Sequence, residues 1–294
     1  MKRIVVLIVS NLVALGFAGG GLTAFAQHVH LAVGAESQQQ DAKLLLVNGA
    51  SYDIFSYGGT NSACFFMADA DPLYPNYYQS DVTLVSLPAT LWTGGPAPGC
   101  AAQGAYIEAI LKSVTGPPGG QIGFWVENED GSETMELFSV PVGTSDSTNR
   151  FNLTEGEEGV GVDTPDGPDP FGHIHGRRFT ADKPGLYTVG FQFIDTSHSG
   201  IDGGPIHTPS KTNYFFFQAG LYLDSIAKTN EAVTVKFGTR AFKNYDLECN
   251  TNFATTNWFK VNGFIGANHS DMHLLTDFNA TNSPRFYRLR EMAQ

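Results

Sequence analysis

The stretch DPFGHIHGRRFTADKPGLYTVGFQF, residues 169–193, decides the fold that we predict for this chain. Apolar and polar residues mostly alternate over residues 186–193, which is the period of a half-buried β-strand. The sequence DKPG before it is typical of a turn, because Pro presets φ and Gly tolerates positive φ. The stretch therefore joins a His-x-His pair, through a turn, to an alternating strand.

The His-x-His pair of this stretch is a candidate metal site. In a β-conformation, His173 and His175 point to the same face, with Cα atoms about 6–7 Å apart. Two imidazoles at that spacing can chelate one ion. The alternative is that both are surface histidines in a polar loop. The spacing alone fits both interpretations.

A second His-x-His pair, His28 and His30, lies near the N-terminus, again in strand-like alternation. Two such pairs in a chain with 8 histidines favour a common site over chance. If the first strand lies beside the central one, the four imidazoles form a site suited to Zn or Cu. His198 and His207, in the loop after the central strand, are further candidate ligands, although surface positions are the commoner outcome for such residues.

The N-terminus predicts export. Lys2 and Arg3 precede an apolar run over residues 4–25 that ends in an A-x-A sequence, the pattern of a signal peptide over residues 1–26. An uncleaved membrane anchor is the alternative, but the Gly-Gly-Gly break and the A-x-A end favour cleavage. The mature protein would begin near Gln27 and be secreted, periplasmic or at the cell surface, with no transmembrane span after cleavage.

The predicted cleavage point bears on a further interpretation, the copper brace of lytic monooxygenases. In that brace the amino group and the ring of the first residue bind the metal. His28 would have to be the first residue, whereas the A-x-A sequence places cleavage before Gln27. The brace is therefore disfavoured.

The charge of the chain excludes some partners. Seventeen Lys and Arg against 29 Asp and Glu give a formal net charge of −12, which argues against nucleic acid and against an anionic membrane surface. Residues 151–167 are acidic and rich in Gly, which suggests either a Ca loop or a solvated connection. The absence of EF-hand spacing favours the solvated connection.

The three cysteines suit an oxidising compartment. Cys64 and Cys100 flank one loop-rich region and are the candidate disulfide, which would contribute roughly 3–4 kcal/mol in the loop-entropy model. Cys249 is expected to be a small buried residue. Because no C-x-x-C sequence is present, a thiolate zinc site is not expected.

The strand patterns predict an all-β protein with two parts. We expect an antiparallel β-sandwich, immunoglobulin-like or jelly-roll-like, over residues 27–222 and a smaller β module over residues 223–294. Residues 119–127 and 133–140 predict a hairpin around the turn sequence NEDG. Residues 105–113 fit either a helix or a strand that places alternate apolar residues on one face.

No sequence motif demands an enzyme, since no phosphate-binding Gly loop, G-x-S-x-G or H-E-x-x-H is present. The leading hypothesis is a non-catalytic protein that binds Zn or Cu through the histidine pairs. The second is a structural or adhesive surface protein in which the histidines only pack and hydrogen-bond, and in which Tyr74, Tyr77 and Tyr78 stack on a glycan. A third is a copper oxidase that uses the same histidines beside a substrate groove.

Several of these features together resemble bacterial surface-anchored proteins with a choice-of-anchor M domain, over roughly residues 28–222. The matching features, in order, are HVHL at residues 28–31, GHIH at residues 172–175, Phe179-Thr180, Pro184-Gly185, LYTV at residues 186–189, and a closing strand at residues 214–220. The resemblance implies an exported β-rich domain, in some bacteria associated with metal-uptake systems, with no established catalysis. Arg177 and Arg178 depart from the pattern, in which an aromatic residue often precedes the Phe.

The end of the chain resembles a terminal module of secreted proteins from Verrucomicrobia and Planctomycetes. The matching residues are LECNTNF at residues 247–253, TNW at residues 256–258, Asp277, and RFYRL at residues 285–289. The resemblance implies a small β-sandwich-like appendage for spacing, sorting or attachment to the cell envelope. No LPxTG-type or PEP-CTERM-type anchor sequence is present.

Overall fold

The structure is a computed structural model. It describes residues 29–55, 63–68, 73–80, 82–87, 99–127, 134–154, 172–173, 177–252, 254–267, 269–280 and 284–293. The chain is all-β, which confirms the predicted fold class, because strands take 56% of the residues and helix only 3%. The short helices are α1 (Gly49–Tyr52) and a 3-10 helix at Ile201–Gly203.

The strands are numbered in chain order. They are β1 (Val29–Ala35), β2 (Leu44–Leu46), β3 (Cys64–Met67), β4 (Tyr78–Ser80), β5 (Val82–Ser86), β6 (Ile107–Thr115), β7 (Gln121–Glu127), β8 (Thr134–Pro141), β9 (Arg150–Asn152), β10 (Gly172–His173), β11 (Arg177–Ala181), β12 (Gly185–Asp195), β13 (Asn213–Ala219), β14 (Leu223–Thr229), β15 (Ala232–Gly238), β16 (Lys243–Asn250), β17 (Phe259–Phe264), β18 (Met272–Asp277) and β19 (Phe286–Ala293).

Strands β1 to β13 form three sheets, with the orders β10-β5-β1-β2, β4-β11-β7-β8 and β3-β13-β12-β6-β9. Antiparallel pairing predominates, while β1 with β5 and β13 with β3 pair in parallel. The strand predicted over residues 186–193 is β12, which lies between β13 and β6. The predicted hairpin is also confirmed, because β7 and β8 pair antiparallel out to Glu127 and Thr134.

The alternation of β12 and β6 builds the core. Tyr187, Val189, Phe191 and Phe193 of β12 have no exposed surface. The segment over residues 105–113 contains a strand rather than a helix, since β6 begins at Ile107. The alternate residues Ile107, Ala109 and Leu111 are buried on the same side as the core residues of β12. Successive side chains of a strand point to opposite faces, so this burial follows directly from the period of two.

Two of the sheets pack face to face through phenylalanines. The rings of Phe124 on β7 and Phe151 on β9 stack with centroids 4.0 Å apart. Phe179 on β11 lies between Phe191 and Phe217 of the opposite sheet, at centroid distances of 5.4 and 5.6 Å. Each fully buried Phe contributes about 1.5–3 kcal/mol by removal from water. The interlocked rings therefore fix the sandwich.

Strands β14 to β19 form two three-stranded sheets, with the orders β14-β15-β18 and β17-β16-β19. A second apolar core lies between them, and its buried members are Val235, Phe237, Tyr245, Leu247 and Leu275. Gln218 of β13 contacts this part of the chain, because its Oε1 accepts a hydrogen bond from the N–H of Gly238 at 3.3 Å. The division into two domains between residues 222 and 223 stays a prediction.

The cysteines differ from the prediction. Cys64 is a free thiol, so the expected disulfide with Cys100 is not formed. Cys64 lies on β3, beside Phe216 of β13, and burial raises the pKa of its thiol. Cys249 is buried in β16, as predicted. The pairing was wrong because a shared loop region in sequence does not bring two Cβ atoms together in space.

The predicted signal peptide, residues 1–26, lies outside the described residues. Within the described ranges, no helix has the length and apolar character needed to cross a membrane.

Candidate functional site

One histidine of each His-x-His pair, His30 and His173, lies in the same sheet, on either side of β5. Strand β1 pairs in parallel with β5, and His30 is the partner of Thr83. Strand β10 pairs antiparallel with the other edge of β5, and His173 is the partner of Val85. Segments that are distant in the sequence are therefore separated by one strand.

The register places both histidine positions on the same face of this sheet. Thr83 and Val85 are two residues apart on β5, so they share a face, and cross-strand partners share a face as well. Because neighbouring strands are 4.7–4.9 Å apart, the backbones of β1 and β10 are about 10 Å apart. The four-imidazole site was predicted on the condition that the first strand lies beside the central one. The central strand β12 belongs to another sheet, and β10 lies one strand away from β1.

His30 of β1 is exposed. Its neighbour Leu31 is fully buried on the opposite face, which follows from strand alternation. The side chain of Asn48 fixes the backbone here, because its Nδ2 donates to the carbonyl of His30 at 2.8 Å and its Oδ1 accepts from the N–H of Ala32 at 3.0 Å. His28 and His175 lie outside the described residues.

His207 is buried, with 2% of its surface exposed, and both ring nitrogens are engaged. The N–H of Ala102 donates to Nε2 at 2.8 Å, and Nδ1 lies 3.0 Å from the carbonyl oxygen of Ala42. Because a carbonyl only accepts, the proton is on Nδ1 and the ring is neutral. Metal binding by His207 would therefore break one of these hydrogen bonds, and the ligand role of His207 stays a prediction.

Burial is the main cause of a lowered pKa for His207, and the hydrogen bond to Ala42 and the charge of Asp195 oppose it. Burial therefore favours the neutral form of the ring in the folded protein. His198 is exposed, and its Nδ1 lies 3.1 Å from the carbonyl oxygen of Gly203 within its own loop.

Asp195, which was not among the residues predicted from the sequence, organises the loop that contains both of these histidines. Its buried carboxylate accepts four main-chain hydrogen bonds at 2.9–3.0 Å. The donors are the N–H groups of Tyr106, Ser197, Ile206 and His207. The sequence signal was the Asp-Thr-Ser order, in which an Asp side chain typically accepts the N–H two residues later.

Among the described residues, no group of three or more His, Cys, Asp or Glu side chains is placed to hold a metal ion. Most of the acidic segment over residues 151–167, the candidate Ca loop, lies outside those residues.

Two of the three tyrosines that the adhesive hypothesis assigns to a glycan, Tyr74 and Tyr77, pack against Trp125. Tyr74 is 1% exposed, and its ring meets the ring of Trp125 edge-on at 5.6 Å. Tyr77 meets Trp125 in the same way at 5.4 Å and is half-buried. Tyr74 therefore offers no face to a ligand.

Comparison of the chain with protein-family models gives no match, and comparison with curated proteins gives none. The resemblance to proteins with a choice-of-anchor M domain stays a prediction.

Proposed function

We propose that this protein is exported and binds a divalent transition metal, Zn or Cu, without catalysing a reaction. The ligands are the two histidine pairs, His28 with His30 and His173 with His175. One observation supports this assignment above the others: β1 and β10 flank the same strand, with His30 and His173 at register positions on one face.

The chemistry of these positions suits such a metal. Neutral imidazoles are the ligands that Zn and Cu share, with metal–nitrogen bonds of about 2 Å. The strand between the two pairs contributes Thr83 and Val85 on that face, and both are nearly buried and uncharged. A metal ion held above β5 would therefore meet no cationic side chain from the intervening strand.

The test is the metal content of protein purified without a His tag, measured by mass spectrometry after incubation with Zn or Cu and desalting. We expect about one ion per chain, as for a single four-coordinate site. The double variant His30→Ala/His173→Ala should lose it. The matched control is His269→Ala, which removes a histidine with a largely exposed side chain far along the chain and should leave the content unchanged. No bound metal in the wild type would overturn the proposal.

Export has its own test, because it rests on the N-terminal sequence alone. Intact mass of protein recovered from the periplasm or medium should correspond to a chain that begins at Gln27. A chain that retains residues 1–26 would instead indicate an uncleaved anchor.

The second candidate function is that of a structural or adhesive surface protein. The ring of His207 favours this structural function, because both ring nitrogens hydrogen-bond main-chain groups of neighbouring loops and neither is left to bind a ligand. The metal measurement separates the two candidates. Glycan binding in this second case would have to use Tyr77 and Tyr78, which are half-buried, rather than Tyr74.

A further inference from the structure

The C-terminal part of the chain packs on the face of β3 and β13 that is opposite the phenylalanine core. The N–H of Cys64 donates to the carbonyl of Ser270 at 3.5 Å, and the ammonium group of Lys236 lies 5.5 Å from the ring centroid of Phe216. A cavity of about 320 Å³ remains at this junction, and we call it the junction cavity. The apolar residues that line it are Phe66, Tyr78, Pro184 and Leu221, and the charged ones are Arg240 and Glu291.

Two aromatic side chains form an apolar wall of the junction cavity. Phe66 pairs with Gln218, so it faces away from the core that its neighbour Phe65 helps to build. The ring of Tyr78 lies against Gly220, where a Cβ atom would come within 2.8 Å of the ring carbon Cε1. Gly220 also has a φ of 65°, which favours glycine. The turn after β13 thus leaves room for the ring of Tyr78 because it has no side chain at this position.

One buried tyrosine positions the charged residues of the junction cavity. The hydroxyl of Tyr245 donates to Glu291 Oε2 at 3.0 Å and accepts the main-chain N–H of Arg240 at 2.7 Å. Tyr245 has no exposed surface, so it fixes these two segments relative to each other. The guanidinium carbon of Arg240 lies 5.7 Å from the ring centroid of Phe66. A cation, a carboxylate and two aromatic rings therefore border one space.

The guanidinium of Arg240 is available to a ligand. Within the part of the chain that the structure describes, it makes no ion pair and contacts the ring of Phe66 instead. Glu291 uses Oε2 for the hydroxyl of Tyr245, which leaves Oε1 for a ligand. A guanidinium only donates hydrogen bonds, and a carboxylate only accepts them. The junction cavity thus offers both donors and an acceptor.

These groups select the class of ligand. An anion would meet Glu291 and a cation would meet Arg240, so the two opposite charges favour a ligand without net charge. Hydroxyl groups both donate and accept, so they can serve the guanidinium and the carboxylate together. A small zwitterion would match the two charges, but it would leave the aromatic wall uncovered. A pyranose ring carries hydroxyls at its rim and an apolar C–H face, so it matches all of these groups.

We propose that the junction cavity binds one neutral sugar residue, with hydroxyls on Arg240 and Glu291 and the C–H face on Phe66 and Tyr78. Ligand cavities measure about 300–1,000 Å³ and occur preferentially between domains. A cavity at the lower end of that range suits a single sugar residue. The residues that line it lie outside the sheet β10-β5-β1-β2, so this site is independent of metal binding by the histidine pairs.

Saturation-transfer NMR on the whole protein tests the proposal. The probes are the methyl glycosides of glucose, galactose, mannose and N-acetylglucosamine, with glycine as the zwitterionic reference. At least one glycoside should bind with a dissociation constant on the order of 1 mM, because one sugar residue has few atoms to bury. Binding of none of the glycosides overturns the proposal. Binding of glycine in place of the glycosides overturns it equally.

Two variants assign the binding to the junction cavity. Arg240→Met removes the donors and should weaken glycoside binding at least about tenfold. Leu221→Trp fills the cavity from its rim, where Leu221 is 41% exposed, and should abolish binding without removing a polar group. The matched control is Arg290→Met, which should leave binding unchanged. Arg290 precedes Glu291 on β19, but its side chain lies on the other face of the sheet, 3.6 Å from Glu248.

A further variant separates the junction cavity from the aromatic loop. Tyr77 does not line the cavity, so Tyr77→Ala should retain glycoside binding. Binding that is lost in Tyr77→Ala but kept in Arg240→Met and Leu221→Trp would place the sugar on the loop and overturn the proposal. Arg240 and Leu221 are both exposed, so their variants should melt within about 2 °C of the wild type. Loss of binding at an unchanged melting temperature is therefore loss of the site.

Discussion

The carboxylate of Asp195 accepts the main-chain N–H of His207 at 3.0 Å, and the ring of His207 then holds two other segments. Through Ala102 and Ala42, the ring joins the loop before β6 to the loop before β2. Asp195 is the last residue of β12, so the end of the central strand positions the loops around it. A single buried acid and a single buried histidine thus fix one end of the sandwich.

The first prediction concerns the charge of Asp195. In Asp195→Asn, one oxygen that accepts two N–H groups is replaced by an NH₂ group, which cannot accept them. We expect the free energy of unfolding to fall by about 2–3 kcal/mol, measured by urea denaturation, because buried donors lose their partner. Asp146→Asn is the control. The side chain of Asp146 is 80% exposed in its ion pair with Lys112, so its loss should cost less than about 1 kcal/mol.

The second prediction concerns pH. Burial lowers the pKa of His207 below its value of 6.5 in the unfolded chain. Below that pH the unfolded chain takes up a proton that the folded protein does not, so the stability from His207 is complete above about 6.5 and is lost as the pH falls. Burial lowers the pKa of His273 as well, and this acts in the same direction.

The urea midpoint should therefore decrease from pH 7.5 to pH 5.5. In His207→Gln it should be lower than in the wild type at pH 7.5 and should change less with pH. An equal dependence on pH in the two proteins would mean that His207 does not carry the effect.

The third prediction concerns Cys64. Protein denatured without a reductant and treated with iodoacetamide should be alkylated at Cys64, as shown by peptide mass mapping, because its thiol is not in a disulfide. The folded protein should react slowly at Cys64, since burial hides the thiol and raises its pKa. Protection of Cys64 in the denatured protein until a reductant is added would show that the disulfide forms after all.

The fourth prediction concerns the close approach of β1 to the loop at Gly99. A Cβ at Gly34 would overlap the carbonyl oxygen of Gly99, which accepts the N–H of Ala35 at 3.2 Å. Gly34→Ala should therefore cost at least about 1–3 kcal/mol of unfolding free energy, because backbone must move to admit the methyl group. Gly49→Ala is the comparison. The atoms nearest to its Cβ would be side-chain atoms of Leu46 at 3.4 Å and beyond, which is ordinary van der Waals contact, so no loss of stability is expected.

The sequence by itself determined that residues 186–193 form a strand. Their alternation has a period of two, and this period fixes which residues of a strand are buried wherever the strand is placed. Residues 105–113, in contrast, fitted a helix as well as a strand, and only the structure decided between them. The hairpin of β7 and β8 was also predictable from the sequence, because its turn and both of its strands are contiguous in the chain. Local patterns were sufficient for these elements.

Only the tertiary structure decided which strands are neighbours. Pairings between distant segments place β5 between His30 and His173. They also keep Cys64 unbonded to Cys100, and they bury His207 where its ring hydrogen-bonds two other segments. An alternating strand presents the same backbone groups on both edges, so its own sequence does not specify its partner. The choice is made by packing of the complete core, in which each sheet buries its apolar face against the others.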